Sequence, residues 1–423
     1  MYLTASLQSL YIINRVVMLK QDRGGFIVSN EMNRRKFIKI GGMSTVALTL
    51  ASTGVPVDLF NETEVSARKL DKAKLKFNPD GKFKIVQFND TQDDERIDRR
   101  TIELMEKVLD SEKPDFVVLN GDNISSGCET PLEMKQAMNN IAQPMEQRGI
   151  KWAVTFGNHD EDSTPKSGLD EEDMLRVYMS YPHNMNQPGE KGLTGTGNMN
   201  LLINDSKNKK PAFNLWLLDS GRYAPETIAG QDFEGYPTWD WLRFNQVRWY
   251  YDQSKEIEKR FGRKIPSLLF IHIPLWEHRY MWFASVDERS ESRHELAVKK
   301  HAITGERNED ECPGPVNSGL FSAMLERGDV KGVFCGHDHI NTYCGNYYGI
   351  LLGYGGSAGF GTYGLSGDEK NRLRGARVFH LDEKAENVLV DTHMVFAKDY
   401  GIDLTPNDQS IDPLPLERKH PVK

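Results

Sequence analysis

The sequence predicts an α/β fold in which two sheets pack face to face and helices cover their outer sides. Two observations support this prediction. From Phe83 onward, short apolar runs alternate with amphipathic segments of helical spacing. Near the C-terminus, "YGILLGY", "ARVFHL" and "NVLVDTHMVF" resemble antiparallel strands that close a second sheet. The hydrophobic content of 38% in 423 residues is enough for a substantial core.

The first part of the alternating pattern runs from Phe83 to Met179. "FKIVQF" predicts a strand, Arg96 to Leu109 a helix, and "DFVVLN" a buried strand. Thr130 followed by Pro131 is typical of a helix start. "KWAVTF" predicts the third strand, and a short helix is expected from Glu171 to Met179.

The second part of the pattern begins with the strand "AFNLWLLD" at Ala212. A helix is predicted from Trp241 to Arg260, and the strand "PSLLFIHI" then ends at His272. Residues 277–317 are polar and irregular, so we expect a long loop region over the site. A helix from Gly319 to Glu326 and the strand "VKGVFC" follow.

The N-terminal segment has the layout of an export signal. "MNRRKFIKIGGMSTVALTLAST" begins at Met32 and places the pair Arg34 and Arg35 before a short, mildly apolar run, as in twin-arginine signals. This predicts a periplasmic or otherwise extracytoplasmic protein. Because the apolar run is too short for a comfortable membrane span, no stable span is expected after removal of the signal.

Four regions are expected along the chain. Because a complete signal begins at Met32, we expect translation to start there and residues 1–31 to be an overrun. The signal and its linker occupy residues 32–67, and the folded domain occupies residues 82–397. The Pro- and charge-rich residues 398–423 are expected to form a surface tail.

Charge and cysteine content exclude several classes of protein. The formal net charge is −8 and no dense Lys/Arg stripe is present, so a nucleic acid duplex is not an expected partner. The four cysteines are too few and too scattered for a disulfide scaffold, and no CxxC spacing predicts a zinc site.

Polar residues follow five of the predicted strands directly. They are Asp90, then Gly121-Asp122-Asn123, then Gly157-Asn158-His159-Asp160, then His272, and finally Gly336-His337-Asp338-His339. The C-terminal ends of strands in an α/β sheet converge on one crevice, so these side chains are expected to meet. Carboxylate, amide oxygen and imidazole ligands suit Mn, Fe and Zn. Their number predicts two ions bridged by one carboxylate.

In this order, the motifs resemble those of the calcineurin-like metallophosphoesterases. "KWAVTFGNHDED", "NLWLLDSG", "IPLWE" and "NSGLFSAMLERGDVKGVFCGHDH" extend the resemblance to the purple-acid-phosphatase-like branch, over residues 82–397. The resemblance implies a four-layer α/β/β/α sandwich of two mixed sheets flanked by helices, with a dimetal site at the C-terminal ends of strands. It also implies two divalent or trivalent metal ions, such as Mn, Fe or Zn, as cofactors.

The resemblance also implies a role for each motif residue. Asp122 would bridge the two metals, with Asp90 and His339 on the first metal and Asn158, His272 and His337 on the second. His159 would face the substrate phosphate, where it stabilises charge or protonates the leaving oxygen. Asp160 follows it and is expected to orient that imidazole.

Gln92 departs from the Asp-x-His pattern of most relatives. Three alternatives remain open for the sequence Asp90-Thr91-Gln92. Gln92 binds the first metal through its carbonyl oxygen, or it lies outside the ligand set and water completes the coordination. In the third alternative, Asp93 or Asp94 compensates, or the first site is impaired.

Three other features adjoin these motifs. The aromatic segment 276–285 predicts either a wall for an organic leaving group or simple core packing, and His278, His294 and His301 are expected to be solvated. The glycine-rich segment 353–364 lacks a P-loop ending and predicts turns near the site. Cys335 is expected to be a small buried residue.

The predicted function is an exported, metal-dependent phosphoesterase acting on a small-molecule phosphate ester, with a monoester favoured. A dimetal-activated water or hydroxide attacks phosphorus, and His159 assists. Two alternatives remain open. One is a phosphodiesterase acting on a nucleotide or lipid headgroup. The other is a metal-dependent binding module without turnover, which the departure at Gln92 keeps in consideration.

Overall fold

The computed structural model describes residues 10–13, 16–21, 25–28, 74–236 and 238–416. The predicted signal and linker at 32–67 lie outside these described residues. The chain divides into two units, Met1–Leu70 and Asp71–Lys423. The first unit contains three short antiparallel strands: β1 (Leu10–Ile13), β2 (Val16–Gln21) and β3 (Gly25–Val28).

The second unit begins with alternating strands and helices. Its first elements are β4 (Leu75–Lys76), β5 (Lys82–Phe88), α1 (Arg99–Glu112), β6 (Phe116–Asn120), α2 (Pro131–Arg148), β7 (Lys151–Thr155), α3 (Thr164–Ser167), α4 (Glu171–Met179), β8 (Met199–Asn204) and β9 (Pro211–Leu217). The Thr130 hydroxyl accepts from the Glu133 N–H and the Glu133 side chain accepts from the Thr130 N–H, which confirms the predicted start of α2.

The remaining elements continue this order and end in antiparallel strands. They are β10 (Thr227–Ile228), β11 (Gln231–Asp232), α5 (Phe244–Phe261), β12 (Ser267–Phe270), α6 (Trp276–Phe283), α7 (Glu291–His301), α8 (Leu320–Arg327), β13 (Val330–Cys335), β14 (Cys344–Tyr347), β15 (Ile350–Tyr354), β16 (Gly375–Asp382) and β17 (Leu389–Phe396). Two short 3-10 helices, Gly367–Glu369 and Ala397–Tyr400, flank the last two strands. In the described part of the chain, we find no helix with the length and apolarity needed to cross a membrane.

Two mixed sheets form the centre of the second unit. The five-stranded sheet has the order β17-β16-β5-β6-β7, and the seven-stranded sheet has the order β14-β15-β13-β12-β9-β8-β4. β5, β6 and β7 are parallel to one another, as are β9, β12, β13 and β15. Their neighbours β16, β14 and β8 pair antiparallel to them. Within each sheet, the parallel strands therefore bring their C-terminal ends to the same edge.

Three apolar clusters give the second unit four layers. The middle cluster packs one sheet on the other, with Ile85 and Val118 on one side and Leu215 and Phe270 on the other. A second cluster packs α1, α2 and α4 on the outer face of the five-stranded sheet, and a third packs α5, α6 and α8 on the seven-stranded sheet. The predicted α/β/β/α sandwich of two mixed sheets flanked by helices is confirmed.

The prediction of a long loop over residues 277–317 is wrong, because the segment contains α6 and α7. The Ser290 hydroxyl accepts from the Arg293 N–H and caps α7. The expectation of a solvated His278 is also wrong, since the ring is fully buried and its Nδ1 contacts the backbone of Leu275. His301 is buried as well and its Nδ1 contacts the Asn346 carbonyl, while the half-buried His294 stacks on Trp282. The prediction rested on the number of polar residues in the segment, and that number does not reveal that one face of each short helix is apolar.

The described residues after β17, up to Leu416, are mostly exposed and are attached to α1. Ile402 is buried in the cluster under α1. The Arg100 guanidinium is fully buried, pairs with Asp98 at 2.6 Å and donates to the carbonyls of Thr405 and Asn407. This segment therefore contributes hydrogen-bond acceptors to the folded unit.

Candidate metal centre

The predicted site residues meet where strands from both sheets end. Asp90 follows β5, Asp122 follows β6, and the other side chains follow β7, β12 and β13. The candidate ligands are nearly fully buried: Asp90 1%, Asp122 1%, Asn158 0%, His272 0%, His337 7% and His339 2% exposed. Polar side chains that are this deeply buried need bonding partners. The arrangement of their donor and acceptor atoms therefore indicates what kind of ligand they bind.

The backbone at these strand ends adopts conformations that cost free energy. Asp90, Asp122 and His337 have φ angles of 50°, 49° and 72°, in the left-handed region that residues with a Cβ rarely adopt. Each such residue costs about 1–3 kcal/mol, and such strain persists where function requires it. A Cβ on Gly121 would lie 2.5 Å from His272 Nδ1, and one on Gly157 would lie 2.4 Å from Asp122 Oδ1. Glycine at both positions lets the backbone approach the site.

Two groups of potential metal ligands share one carboxylate. Asp122, His272 and His337 form one group, and Asp90, Asp122 and His339 form the other. Within each group the ligand atoms lie within 4.8 Å of one another. Asp122 therefore occupies the position that a bridging carboxylate needs, between two adjacent cation positions.

Several buried atoms here find no hydrogen-bond partner among the described residues. They are Asp90 Oδ2, Asp122 Oδ2, Asn158 Oδ1, His272 Nε2 and His337 Nε2. His272 Nε2 lies 3.0 Å from Asp122 Oδ2, but their geometry is not that of a hydrogen bond. His272 Nδ1 donates to the Asn120 carbonyl at 3.0 Å, which leaves the Nε2 lone pair facing the site. This donor set of carboxylate, amide and imidazole fits two transition-metal cations.

The pKa values in the cluster are shifted in opposite directions. Burial raises the pKa of Asp90 to about 8, against the opposing charge of His272. Burial also disfavours the charged form of Asp122, but the charge and proximity of His272 hold the pKa of this carboxyl below its usual range. The same pairing raises the pKa of His272 to about 10 although burial opposes it. Burial thus disfavours the charged form of both carboxyl groups, and a cation bound at this position would favour it.

His159 differs from the candidate ligands in exposure and in partners. Its backbone N–H donates to Asp122 Oδ1 at 2.8 Å, and its side chain is 33% exposed. Its Nδ1 lies 2.6 Å from Asp162 Oδ2. Burial lowers the pKa of His159, but the bond to Asp162 and the charge of Asp122 outweigh burial and give a net rise. The imidazole is thus held beside the Asp122 carboxylate, with Nε2 available to a ligand.

The prediction that Asp160 orients His159 is wrong, because Asp162 makes that contact. Asp160 is fully buried, and its Oδ1 accepts from the backbone N–H groups of Asn123 and Ile124 at 2.9 and 3.2 Å. Its Oδ2 accepts from the Gly157 N–H at 2.7 Å. A carboxylate with these acceptor roles joins the loops after β6 and β7.

Sequence reasoning missed Arg222, which fixes Asp162. Its Nε donates to the Asn158 carbonyl at 3.1 Å, and its two terminal nitrogens pair with Glu161 at 2.8 Å and Asp162 at 2.9 Å. Arg222 follows β9, a parallel strand whose C-terminal end lies at the same edge as that of β12. The strand-end rule that identified His272 applies to β9 as well and identifies this arginine.

Gln92 lies next to the ligand groups, and its oxygen is already engaged. Thr362 Oγ1 donates to Gln92 Oε1 at 2.8 Å and lies 3.2 Å from His339 Nδ1. Asp93 accepts from the backbone N–H groups of Asp94 and Asp98, and among the described residues neither Asp93 nor Asp94 joins the two ligand groups. The geometry therefore favours a position of Gln92 outside the ligand set, linked to His339 through Thr362.

The aromatic residues beside the site are not those of segment 276–285. In that segment His278, Met281 and Phe283 are buried in or beside the core, so core packing is the better description. Trp239 lies 4.6 Å from His337 between ring centroids, and Tyr363 stacks on His339 at 4.0 Å. The latter comes from the glycine-rich segment 353–364, whose predicted turns near the site are confirmed. Cys335 is fully buried, as expected.

Comparisons with known proteins show which proteins this chain is similar to. A family model described as calcineurin-like phosphoesterase matches residues 83–341. "Probable inactive purple acid phosphatase 14" of Arabidopsis thaliana is 33% identical over 369 residues, covering 80% of this chain and 83% of that protein. "Phosphatase DCR2" of Saccharomyces cerevisiae is 28% identical and covers 77% of this chain and 56% of its own length. A solved dimetal phosphatase from Danio rerio covers 74% of this chain and 99% of its own, with 12% identity and a TM-score of 0.46.

Proposed function

The chain belongs to the calcineurin-like phosphoesterase family, and we propose that it hydrolyses small-molecule phosphate monoesters with two bound metal ions. The observation that carries this proposal is the sharing of Asp122 between two ligand groups, with the half-exposed His159 attached to the same carboxylate. This arrangement places a proton donor beside two adjacent cation positions.

The cations would be held by the buried donor atoms at the strand ends. Asp90, Asp122 and His339 would hold the first ion, and Asp122, Asn158, His272 and His337 the second. When bound, two such ions (Mn, Fe or Zn by donor type) neutralise phosphate oxygens and supply a nucleophilic water at neutral pH. The neutral Asn158 oxygen limits the negative charge around them.

His159 would act on the leaving oxygen. The bond from Asp162 holds the proton on Nδ1 and orients the ring, so the protonated imidazole presents Nε2–H to the substrate. Transfer of that proton to the leaving alkoxide produces a neutral alcohol. Arg222 supports this geometry because it binds both Asp162 and the Asn158 carbonyl.

The names of relatives support phosphatase chemistry and make turnover the first property to measure. One relative is named a phosphatase, and three are named probable inactive purple acid phosphatases. Protein beginning near Lys69 would be stripped of metal, reloaded with Mn, Fe or Zn, and assayed with an aryl phosphomonoester and an aryl phosphodiester side by side. A higher rate with the monoester supports the proposal, and a higher rate with the diester would identify a phosphodiesterase instead.

The same assay separates an enzyme from a metal-dependent binding module. The matched variant is His159→Ala, which leaves the candidate ligands unchanged. Turnover that needs metal and falls about 100-fold or more in this variant supports the assigned role. Metal binding without turnover of either substrate would contradict the enzyme and support the binding module.

We also propose that the protein is exported by its twin-arginine segment. The pair Arg34-Arg35 before a short apolar run supports this proposal. Replacing both by Lys is expected to move the protein from the periplasmic to the cytoplasmic fraction of a bacterial host. Unchanged distribution between the two fractions would refute this export route.

A further inference from the structure

Three aromatic side chains pack against the imidazoles of the site. Tyr223 lies edge-on to His159 with ring centroids 6.4 Å apart, and its hydroxyl is 3.5 Å from His159 Nδ1. Trp239 contacts His337, and Tyr363 stacks on His339. We call Tyr223, Trp239 and Tyr363 the aromatic rim. These rings therefore adjoin the general-acid histidine and a candidate ligand of each metal position.

Backbone hydrogen bonds fix two of these rings relative to each other. Tyr223 and Trp239 are paired in an isolated antiparallel bridge. Ala224 N–H donates to the Thr238 carbonyl at 2.6 Å, and Asp240 N–H donates to the Arg222 carbonyl at 3.1 Å. The two rings lie 5.7 Å apart with an angle of 32° between their planes. They therefore present a pre-organised pair of aromatic surfaces.

The third ring, Tyr363, is also held in place by hydrogen bonds, on the side of the site that carries His339. The Tyr363 hydroxyl donates to Glu309 at 2.9 Å, and the Tyr363 carbonyl accepts from Arg374 at 2.8 Å. Its plane is only 12° from that of the His339 imidazole. One face of the Tyr363 ring is thus occupied by His339.

The rim exposes apolar surface beside a buried, highly polar centre. Tyr223 is 41% exposed and Tyr363 is 48% exposed, and Trp239 is half-buried. The Arg222 guanidinium lies 5.4 Å from the Tyr223 ring and already binds Glu161 and Asp162. A ligand that covers the rim would gain aromatic contact rather than a new ion pair.

We propose that the aromatic rim is the leaving-group subsite and that it binds a planar, uncharged aromatic or heteroaromatic group attached to the phosphate. This deepens the proposed function and rests on it, because the phosphate must lie at the metal positions for the leaving group to reach the rim. The rim selects by stacking on ring faces, so an aliphatic group of equal apolarity gains less.

Binding of non-hydrolysable phosphonates tests this subsite without turnover. Benzylphosphonate and n-hexylphosphonate carry the same charged group, but only the first has a planar ring. Calorimetry on the manganese-loaded protein should show benzylphosphonate binding about 3- to 10-fold more tightly, which corresponds to one aromatic contact. The variants Trp239→Leu and Tyr223→Leu should each remove most of this preference.

A matched control is Tyr348→Leu. Tyr348 is 60% exposed at the turn between β14 and β15, away from the site motifs. This variant should retain the full preference for benzylphosphonate. Manganese content is measured for every variant, so that a loss of ligand binding through a lost metal is recognised.

The outcomes separate failure of the subsite from failure of the proposed function. Equal affinity of the unmodified protein for both phosphonates would overturn the aromatic subsite alone. A preference that survives in both rim variants would also overturn it. Binding of manganese without binding of either phosphonate would contradict the proposed function itself, and the subsite with it.

Discussion

Nδ1 of His159 lies 2.6 Å from Oδ2 of Asp162, and the other oxygen of that carboxylate is 2.9 Å from Arg222. The three side chains form a chain of charge-assisted contacts, and the backbone N–H of His159 separately donates to Asp122, the carboxylate that both ligand groups share. We therefore expect Asp162 to act through the imidazole, so that its removal affects turnover more than metal binding.

The first prediction concerns Asp162→Asn. The amide has nearly the same shape but no charge, so it orients the ring less firmly and no longer stabilises the imidazolium. We expect kcat to fall about tenfold to a hundredfold, because general acid catalysis contributes about 10²–10⁴ and only its support is removed. KM and metal content should stay within about twofold of the unmodified protein, measured by steady-state kinetics and metal analysis.

Asp160→Asn is the matched comparison, two residues earlier in the chain. The Asp160 carboxylate accepts hydrogen bonds from three backbone N–H groups. The NH2 group of an asparagine side chain would face one or more of these donors and could not accept from them. The free energy of unfolding should fall by about 2–4 kcal/mol. Equal losses of kcat and equal stabilities in the two variants would contradict the distinction between the two carboxylates.

The sequence predicted which strand ends converge, but not which of two neighbouring carboxylates contacts His159. Asp90, Asp122, Asn158, His272, His337 and His339 converge because parallel strands end at one edge, and this follows from the alternating pattern. The choice between Asp160 and Asp162 depends on the turn after Gly157. The hydrogen bonds of that turn point one carboxylate inward to the backbone and the other toward the imidazole.

Tertiary contacts also explain the other differences. Tyr223 and Trp239 reach the site through a long connection between β9 and α5, and their pairing leaves no periodic signal in the sequence. The helices α6 and α7 are short and polar overall, yet Met281 and Phe283 bury one face of α6. Composition predicted a loop there because it averages over both faces of a helix.

The second prediction is that Gln92→His tightens binding at the first metal position. Imidazole is a better ligand for these ions than an amide oxygen, and Gln92 lies beside His339 through Thr362. We expect the affinity of one of the two ions to rise about tenfold, measured by titration of the metal-free protein.

Thr362→Val tests the contact through which Gln92 is linked to His339. It removes the hydroxyl that links Gln92 to His339 but adds no ligand. If Gln92 acts outside the ligand set, this variant should bind the ion at the first metal position about tenfold more weakly. Metal titrations that are identical in the Gln92 variant and the unmodified protein would remove Gln92 from any part in metal binding.

The third prediction concerns metal stoichiometry and thermal stability. Asp122 belongs to both ligand groups, whereas Asp90 belongs to one. Asp122→Asn should therefore lose both ions, and Asp90→Asn should retain about one of two. Metal should raise the Tm of the unmodified protein, since ions that bind only the folded state stabilise it by mass action. Metal analysis and thermal scans with and without chelator measure both effects, and equal stoichiometry in the two variants would contradict a bridging Asp122.

The fourth prediction is a pH dependence of stability that arises away from the site, at His278. This ring is fully buried, and burial lowers its pKa from its ordinary value near 6.5 to about 4. Between these values the unfolded chain binds a proton that the folded protein does not. The contribution is thus present above about pH 6.5 and is lost as the pH falls toward 4, by about 3 kcal/mol in total.

His278→Asn tests this directly, because an amide can approach the Leu275 backbone groups that Nδ1 contacts but does not titrate. In metal-free protein with chelator, urea unfolding between pH 7 and pH 4.5 should lose less stability in the variant than in the unmodified chain. The exposed His393, 44% accessible and paired with Asp391 at 2.7 Å, is the matched control. His393→Asn removes a histidine outside the core, and its unfolding is measured under the same conditions. Parallel pH slopes in all three proteins would show that His278 accepts its proton equally well in the folded and unfolded states.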